Sequence, residues 1–218
     1  MVARCNTVAT TERSKMVVSD LISKDGRWNL DDGYNVVLAD PPWDYGSHQM
    51  YSPKFSGRDP HLNPGNSIHH YPSMTMSEME GMKVRELCCD QCVLFMWTTG
   101  PKMGDAIRLG TAWGFKFVNV AYVWNKEMIL PGAYTITQCE FVLVFRPKKG
   151  VLPKRYKTNS RQYFSEKRTQ HSRKPEYVQD ELDAIYPDAR KLELFARRSR
   201  EGWDVWGNET DKFDQEEE

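Results

Sequence analysis

Residues 40–43, Asp-Pro-Pro-Trp, place a carboxylate, a rigid turn and a large aromatic ring in four consecutive positions. Each proline holds φ at about −65° and lacks an N–H. The carbonyls of Asp40 and Pro41 are therefore expected to find no donor within the turn, which leaves them as acceptors beside the Asp40 carboxylate. Such a set can receive both hydrogens of one planar amino group. Trp43 would offer a face for a flat ring, and base stacking of this kind is worth roughly 1–3 kcal/mol. An exocyclic amino group on an aromatic base fits all three features. Its lone pair is delocalised into the ring and is a poor nucleophile. Acceptors around the nitrogen favour the pyramidal form in which the lone pair is free, so orientation and electrostatics would carry an in-line methyl displacement. The bland alternative is a plain Pro-Pro turn with Trp43 plugging the sheet edge.

The turn needs a scaffold. Tyr34–Ala39 reads as a buried strand ending at Asp40. Further strands are expected at Cys92–Trp97, Phe117–Trp124, Glu140–Phe145, Lys191–Ala196 and Trp203–Trp206, with Val17–Ser19 as one more. Helices are expected over Ser77–Leu87 with Ser77 as N-cap, over Lys102–Trp113 closed by Gly114, and over 175–186. Residues 44–73, 127–137 and 146–173 read as loops. Apolar strands alternating with helices predict a single-domain α/β fold with a mostly parallel twisted sheet and helices on both faces. Such sheets bind ligands beyond the carboxyl ends of their strands. Asp40, Trp97, Trp124 and Arg197 all fall at or near those expected ends. Residues 1–15 read as a flexible arm, 16–209 as the domain and 210–218 as an acidic tail.

The 218 residues suffice for one well-filled α/β domain. No apolar stretch resembles a signal peptide or approaches the ~18 residues of a membrane span. A soluble, intracellular protein without membrane contact is expected, cytoplasmic in a prokaryotic or viral setting. Five cysteines include a lone C-x-x-C at Cys89 and Cys92. A zinc site wants four ligands, so no metal is expected and reduced cysteines are the reading. Net charge is zero, yet Arg146–Lys174 holds eleven Lys or Arg against one Glu. That segment suits a polyanion, with Lys154 and Arg155 as its candidate contacts.

Nine ordered pieces sharpen this picture: ADPPW (39–43), HYPSMT (70–75), LFMWTTG (94–100), WGF (113–115), VWNK (123–126), EFVLV (140–144), HSRKP (171–175), KLELFAR (191–197) and GW-x-x-WGNE (202–209). Together they resemble the MTA-seventy type N6-adenine methyltransferases. The resemblance implies a circularly permuted Rossmann-like methyltransferase, in which the catalytic turn precedes the cofactor strand. It implies S-adenosyl-L-methionine as cofactor and S-adenosyl-L-homocysteine as product. Asp40, Pro41, Pro42 and Trp43 would form the catalytic turn. Asp20 and Leu21 would hold the cofactor's adenine, by a carboxylate and a backbone group. Lys174 would reach the methionine carboxylate. Arg197, Asn208 and Glu209 would bind the ribose and neighbouring groups, with Asp40 beside the cofactor and Phe195 packed alongside. Tyr71 would close near the site, and Trp124 and Lys126 would border the base.

The same resemblance implies nucleic acid as substrate, DNA rather than RNA, because the chain lacks the extra domains of the eukaryotic complex subunits. It leaves a homodimer or a heterodimer with a related subunit open. Three other readings compete: an RNA adenosine methyltransferase, a non-catalytic nucleic-acid-binding partner subunit, and an amide methyltransferase acting on protein or small molecules.

Overall fold

The computed structural model describes residues 33–45, 74–130, 134–169 and 173–207. Among them, seven strands form one sheet: β1 (Tyr34–Ala39), β2 (Cys88–Thr98), β3 (Phe115–Leu130), β4 (Thr137–Pro147), β5 (Tyr163–Ser165), β6 (Lys191–Leu194) and β7 (Trp203–Trp206). Their spatial order is β5-β3-β4-β2-β1-β6-β7. β1 pairs parallel with β2 and β6, β6 with β7, and β3 with β5, while β4 runs antiparallel to β2 and β3. The sheet is thus mixed and mostly parallel. Three helices accompany it: α1 (Met76–Glu80), α2 (Met103–Ala112) and α3 (Tyr177–Ile185).

Alternation along the strands divides the core in two. Val37 and Ala39 of β1 face a cluster with Met79 of α1 and Ala106 and Leu109 of α2. Val36 and Leu38 face the other cluster, with Val178, Leu182 and Ile185 of α3. Helices therefore cover both faces, which is what a sheet apolar on both sides requires. Gly110 shows how tightly α2 packs. A Cβ there would lie 2.4 Å from the Phe145 ring, so the helix accepts a poor helix former to admit the aromatic.

Several expected boundaries move. The first helix starts one residue earlier, at Met76, and is capped by Thr75 rather than Ser77. The Thr75 hydroxyl accepts from the Glu78 N–H, and Glu78 returns the bond to the Thr75 N–H at 2.7 Å. That helix stops at Gly81 and is followed by a short 3₁₀ turn over Val84–Leu87, so one long helix becomes two pieces. β3 runs on to Leu130 and β4 begins at Thr137, so much of the expected 127–137 loop is strand. Trp124 consequently sits inside β3, not at its end. The basic loop hides β5, whose three residues, two of them exposed, carry too little periodicity to be read. Val17–Ser19, the 1–15 arm, the 210–218 tail and residues 46–73 lie outside the described residues. No helix among the described residues is long and apolar enough to cross a membrane.

β1 is the strand at which the connections diverge. The chain leaves β1 through α1 to β2 on one side, and later returns through α3 to β6 on the other. The carboxyl end of β1 is therefore a topological switch point, where α/β sheets form their ligand crevice. Asp40 stands there.

Candidate active site

The turn after β1 is held at three points. Asp40 N–H donates to the Leu194 carbonyl at 3.2 Å, tying the turn to β6. Trp43 N–H donates to the Pro41 carbonyl at 2.8 Å. The indole Nε1–H of Trp43 donates to the Trp97 carbonyl at 3.2 Å, tying the turn to β2. Two expectations change accordingly. The Pro41 carbonyl already has one donor within the turn, because Pro42 folds the chain back on itself, and it retains one lone pair. Trp43 is buried at 8% exposure within the α1/α2-side core, so its ring anchors the turn rather than standing open.

Behind Asp40 lies a chain of alternating charges. Lys174 Nζ sits 3.1 Å from Asp40 Oδ1 and 3.3 Å from Glu140 Oε2. Lys126 Nζ sits 3.2 Å from Glu140 Oε1. Lys174 also lies over the Trp97 ring, 5.5 Å from its centroid, and Trp97 meets Trp124 edge to face at 6.1 Å. Burial alone would push the Lys174 ammonium down, but Asp40 and Glu140 outweigh it and hold its pKa well above the usual lysine range. Burial likewise pushes Glu140 up, yet Lys174 and Lys126 overcome this and keep its carboxyl below the ordinary value. Lys174 and Glu140 are thus both charged at neutral pH. Strand register and a helix entry explain why the chain of charges forms. Trp124 and Glu140 are cross-strand partners on β3 and β4, and Pro175 leads the chain from Lys174 into α3.

Glu140 is the member that sequence reasoning assigned no role, although it opens the EFVLV piece. Tyr45 is a second omission. Its hydroxyl shares a hydrogen bond with Thr99 Oγ1 at 3.1 Å, burial pushes its pKa up, and it feels the charges of Lys174, Glu140 and Asp40. An aromatic residue at the start of a long loop gave no periodic signal by which to find it.

The β6 end forms the other wall. Phe195 adopts φ 63°, a left-handed conformation that a bulky side chain rarely takes. Its ring stacks on Trp113 at 6.5 Å and meets Trp206 edge-on at 5.3 Å. Ala196 N–H donates to the Trp206 carbonyl at 2.9 Å. A Cβ at Gly207 would stand 2.3 Å from the Ala196 carbonyl oxygen, so only glycine lets β7 leave so close to this turn. Arg197 follows, near enough to Lys174 to act on its charge. The next arginines clamp the segment to α3. Arg198 bonds Glu176 and, at 2.7 Å, Gln179; Arg200 reaches Asp180 at 2.6 Å and Asp183 at 2.9 Å.

The structure thus brings together Asp40, Pro41, Pro42, Trp43, Trp124, Lys126, Lys174, Phe195 and Arg197. It does not bring Lys154 and Arg155 to them. Tyr156 N–H donates to the carbonyl of Ile185, the last residue of α3, which places these two at the amino ends of the parallel strands, opposite Asp40. The basic segment returns to the carboxyl end only through β5. Asp20, Leu21, Tyr71, Asn208 and Glu209 lie outside the described residues. Among the described residues, no three metal-ligating side chains converge.

An α/β domain with an Asp-Pro-Pro-Trp turn at its switch point, backed by a half-buried lysine, has the form of a methyltransferase acting on an amino nitrogen. The comparison is specific: the chain belongs to the MT-A70 family of N6-adenine methyltransferases, whose profile matches residues 34–137 and 146–209. It is 43% identical over 182 residues to the type II methyltransferase M.MunI of Mycoplasma sp., covering 81% of this chain and 77% of that protein. It is 26% identical to the human N(6)-adenine-specific methyltransferase METTL4, over 92% of this chain and 42% of that one. An Arabidopsis thaliana protein, N(6)-adenosine-methyltransferase MT-A70-like, is 31% identical over 81% of this chain and 24% of its own length. The chain therefore spans less than half of the two eukaryotic relatives.

Proposed function

We propose that this protein transfers a methyl group from S-adenosyl-L-methionine to the N6 amino group of adenine in DNA. The observation that carries the reading is the Asp40 carboxylate at the switch point, held by the half-buried Lys174. The order of its parts supports a circularly permuted methyltransferase. β1 and its catalytic turn come first in sequence, yet lie beside β6 and its Phe195-Ala196-Arg197 exit.

The residues present fit the cofactor. A half-buried ammonium between two carboxylates, with Arg197 close by, suits the zwitterionic end of an amino acid. Lys174 is a compact point charge for a carboxylate. Arg197 and Phe195 would line the ribose side, with Asn208 and Glu209, while Asp20 and Leu21 would take the purine. When bound, the cofactor supplies a methyl group on an electron-poor sulfonium.

The chain's own residues do the rest. Asp40 accepts one hydrogen of the target amino group, and the remaining lone pair of the Pro41 carbonyl accepts the other. This draws the nitrogen toward a pyramidal shape and frees its lone pair. That lone pair would take the methyl as the sulfur keeps the C–S bonding pair, and the acidified N6 proton would pass to water without need of a strong base. Trp43 keeps the acceptors from shifting by fixing the turn to β2. Lys174 keeps Asp40 oriented, and Glu140 keeps Lys174 in place. Tyr45, Trp124 and Lys126 form the wall on the base side, and Tyr71 would close over it. An adenine within a duplex must leave the stack to reach this site.

DNA is favoured because the type II methyltransferase matches at 43% across most of its length, well above the adenosine-named relatives. The test incubates purified protein and labelled cofactor with duplex DNA, single-stranded DNA and RNA, then reads digested nucleosides by mass. N6-methyldeoxyadenosine is expected, and Asp40→Ala should abolish it, with a loss of at least about 10³-fold, while the fold survives. Methyladenosine from RNA alone would overturn the substrate, and full activity in Asp40→Ala would overturn the mechanism. Light scattering on the same sample reads pairing with a second copy.

A further inference from the structure

One cavity adjoins the candidate site without belonging to its charge chain. It encloses about 200 Å³ beside Lys174, between β3 and the segment that follows β5, and is lined by Trp124, Glu166, Lys167, Arg168, Arg173 and Glu176 among others. We propose that this cavity is a phosphate subsite, taking a phosphodiester of the substrate strand next to the target adenosine. The inference rests on the reading of the protein as a nucleic-acid methyltransferase.

Charge accounting supports it. Lys174, on the rim, is engaged by Asp40 and Glu140. Glu176 is engaged by Arg198 and Arg200. Across the whole lining, Lys167, Arg168, Arg173 and Lys174 stand against Glu166 and Glu176, with Arg173 3.9 Å from Glu176. That excess of cation matches one phosphodiester and its counterion shell. The position is fixed as well as charged. Glu166 N–H donates to the Asn125 carbonyl at 3.1 Å, and Arg168 N–H to the Lys126 carbonyl at 3.2 Å. The Trp124 indole donates to the Glu166 carbonyl at 2.8 Å. The cationic segment is thus bonded to the strand whose Trp124 and Lys126 sit behind the base side of the site. A phosphate held there would place the adjoining nucleotide at the Asp40 turn. Contacts to phosphate position a substrate and carry no sequence information.

The test compares wild type with Lys167→Ala/Arg168→Ala, and with the charge reversal Lys167→Glu, using unmethylated duplex DNA. KM for DNA and kcat are measured from 50 to 200 mM salt, with cofactor affinity and thermal melting as controls on folding. The double variant should raise KM by about tenfold, as loss of a charge-assisted contact does. It should flatten the log KM against log salt slope by about one to two, with kcat and cofactor affinity within about twofold. A folded double variant with unchanged KM and salt slope overturns the subsite while leaving the enzyme reading intact. A wild-type protein that methylates no nucleic acid at all removes both.

Discussion

The carboxyl end of the sheet and the β3/β4 corner of its amino end treat charge in opposite ways. At the carboxyl end, Asp40, Lys174, Glu140 and Lys126 alternate in sign within hydrogen-bonding distance, largely out of water. At the amino end, Lys116 of β3 and Arg146 of β4 are direct cross-strand partners, both exposed. Lys148, Lys149, Lys154 and Arg155 follow, and among the described residues none of these six forms an ion pair with a carboxylate. Like charges placed directly opposite are mildly destabilising when solvated. The same arrangement in the interior would be untenable. Charge that must hold a reacting group in one geometry is buried with a partner for each member. Charge at the β3/β4 corner is left to water and salt.

The sharpest way to break the carboxyl-end network is Glu140→Gln. Glu140 is the carboxylate shared by the buried ammonium of Lys126 and the half-buried one of Lys174. Removing one partner of a buried pair typically costs about 3–5 kcal/mol, because the remaining charge stays desolvated. The variant should therefore melt well below wild type and lose most of its methyl transfer, since Lys174 no longer holds a fixed place beside Asp40. Denaturant unfolding and single-turnover transfer check both. Wild-type stability would mean that the chain is more open to water than its burial indicates.

A smaller effect tests the carboxyl end from behind. Glu193 on β6 lies next to the β1 strand and accepts from Gln179 Nε2 at 2.9 Å. Burial pushes its carboxyl up to about 7; Arg198 pulls it down, and Asp40 adds to the rise. A folded pKa above the unfolded value means that the folded state holds the extra proton between 4.5 and about 7. Stability should fall as pH rises through that window, the reverse of a salt-bridged carboxylate. Glu193→Gln keeps an acceptor for Gln179 and removes the titration. It should be more stable than wild type at pH 8, by up to about 3 kcal/mol, and level with it near pH 4. A pH-independent difference between the two, measured by melting, would assign the effect to packing instead.

How legible this was follows from where the signal lies. β1, β6 and β7 were read within two residues, β1 from an apolar run buried on both faces and the two shorter strands from apolar alternation. The Asp40 turn and Lys174 were read because proline rigidity and motif order are local. Glu140 was passed over as a site residue because its meaning depends on a register, Trp124 opposite Glu140, that no local pattern shows. Lys154 and Arg155 were placed with Lys174 because all three share one cationic stretch. The fold separates them, since the stretch crosses the amino ends of the strands before β5 carries it back. Charge density in sequence shows that a segment meets water or a polyanion, but not at which end of a sheet.

That separation predicts the smallest effect. Lys154 Nζ lies over the Tyr156 ring at 4.6 Å, and Tyr156 is bonded to the end of α3, so Lys154 is directed along the amino edge. Lys154→Ala/Arg155→Ala should leave kcat and KM for DNA within about twofold, because no contact near the Asp40 turn is removed. Its salt slope should change by less than that of Lys167→Ala/Arg168→Ala, since a long duplex meets this edge only by non-specific attraction that a Debye length of about 8 Å confines. Side-by-side titration of the two double variants decides the comparison. Equal losses would mean that the substrate wraps from one end of the sheet to the other, and that both halves of the basic segment act as a single binding surface.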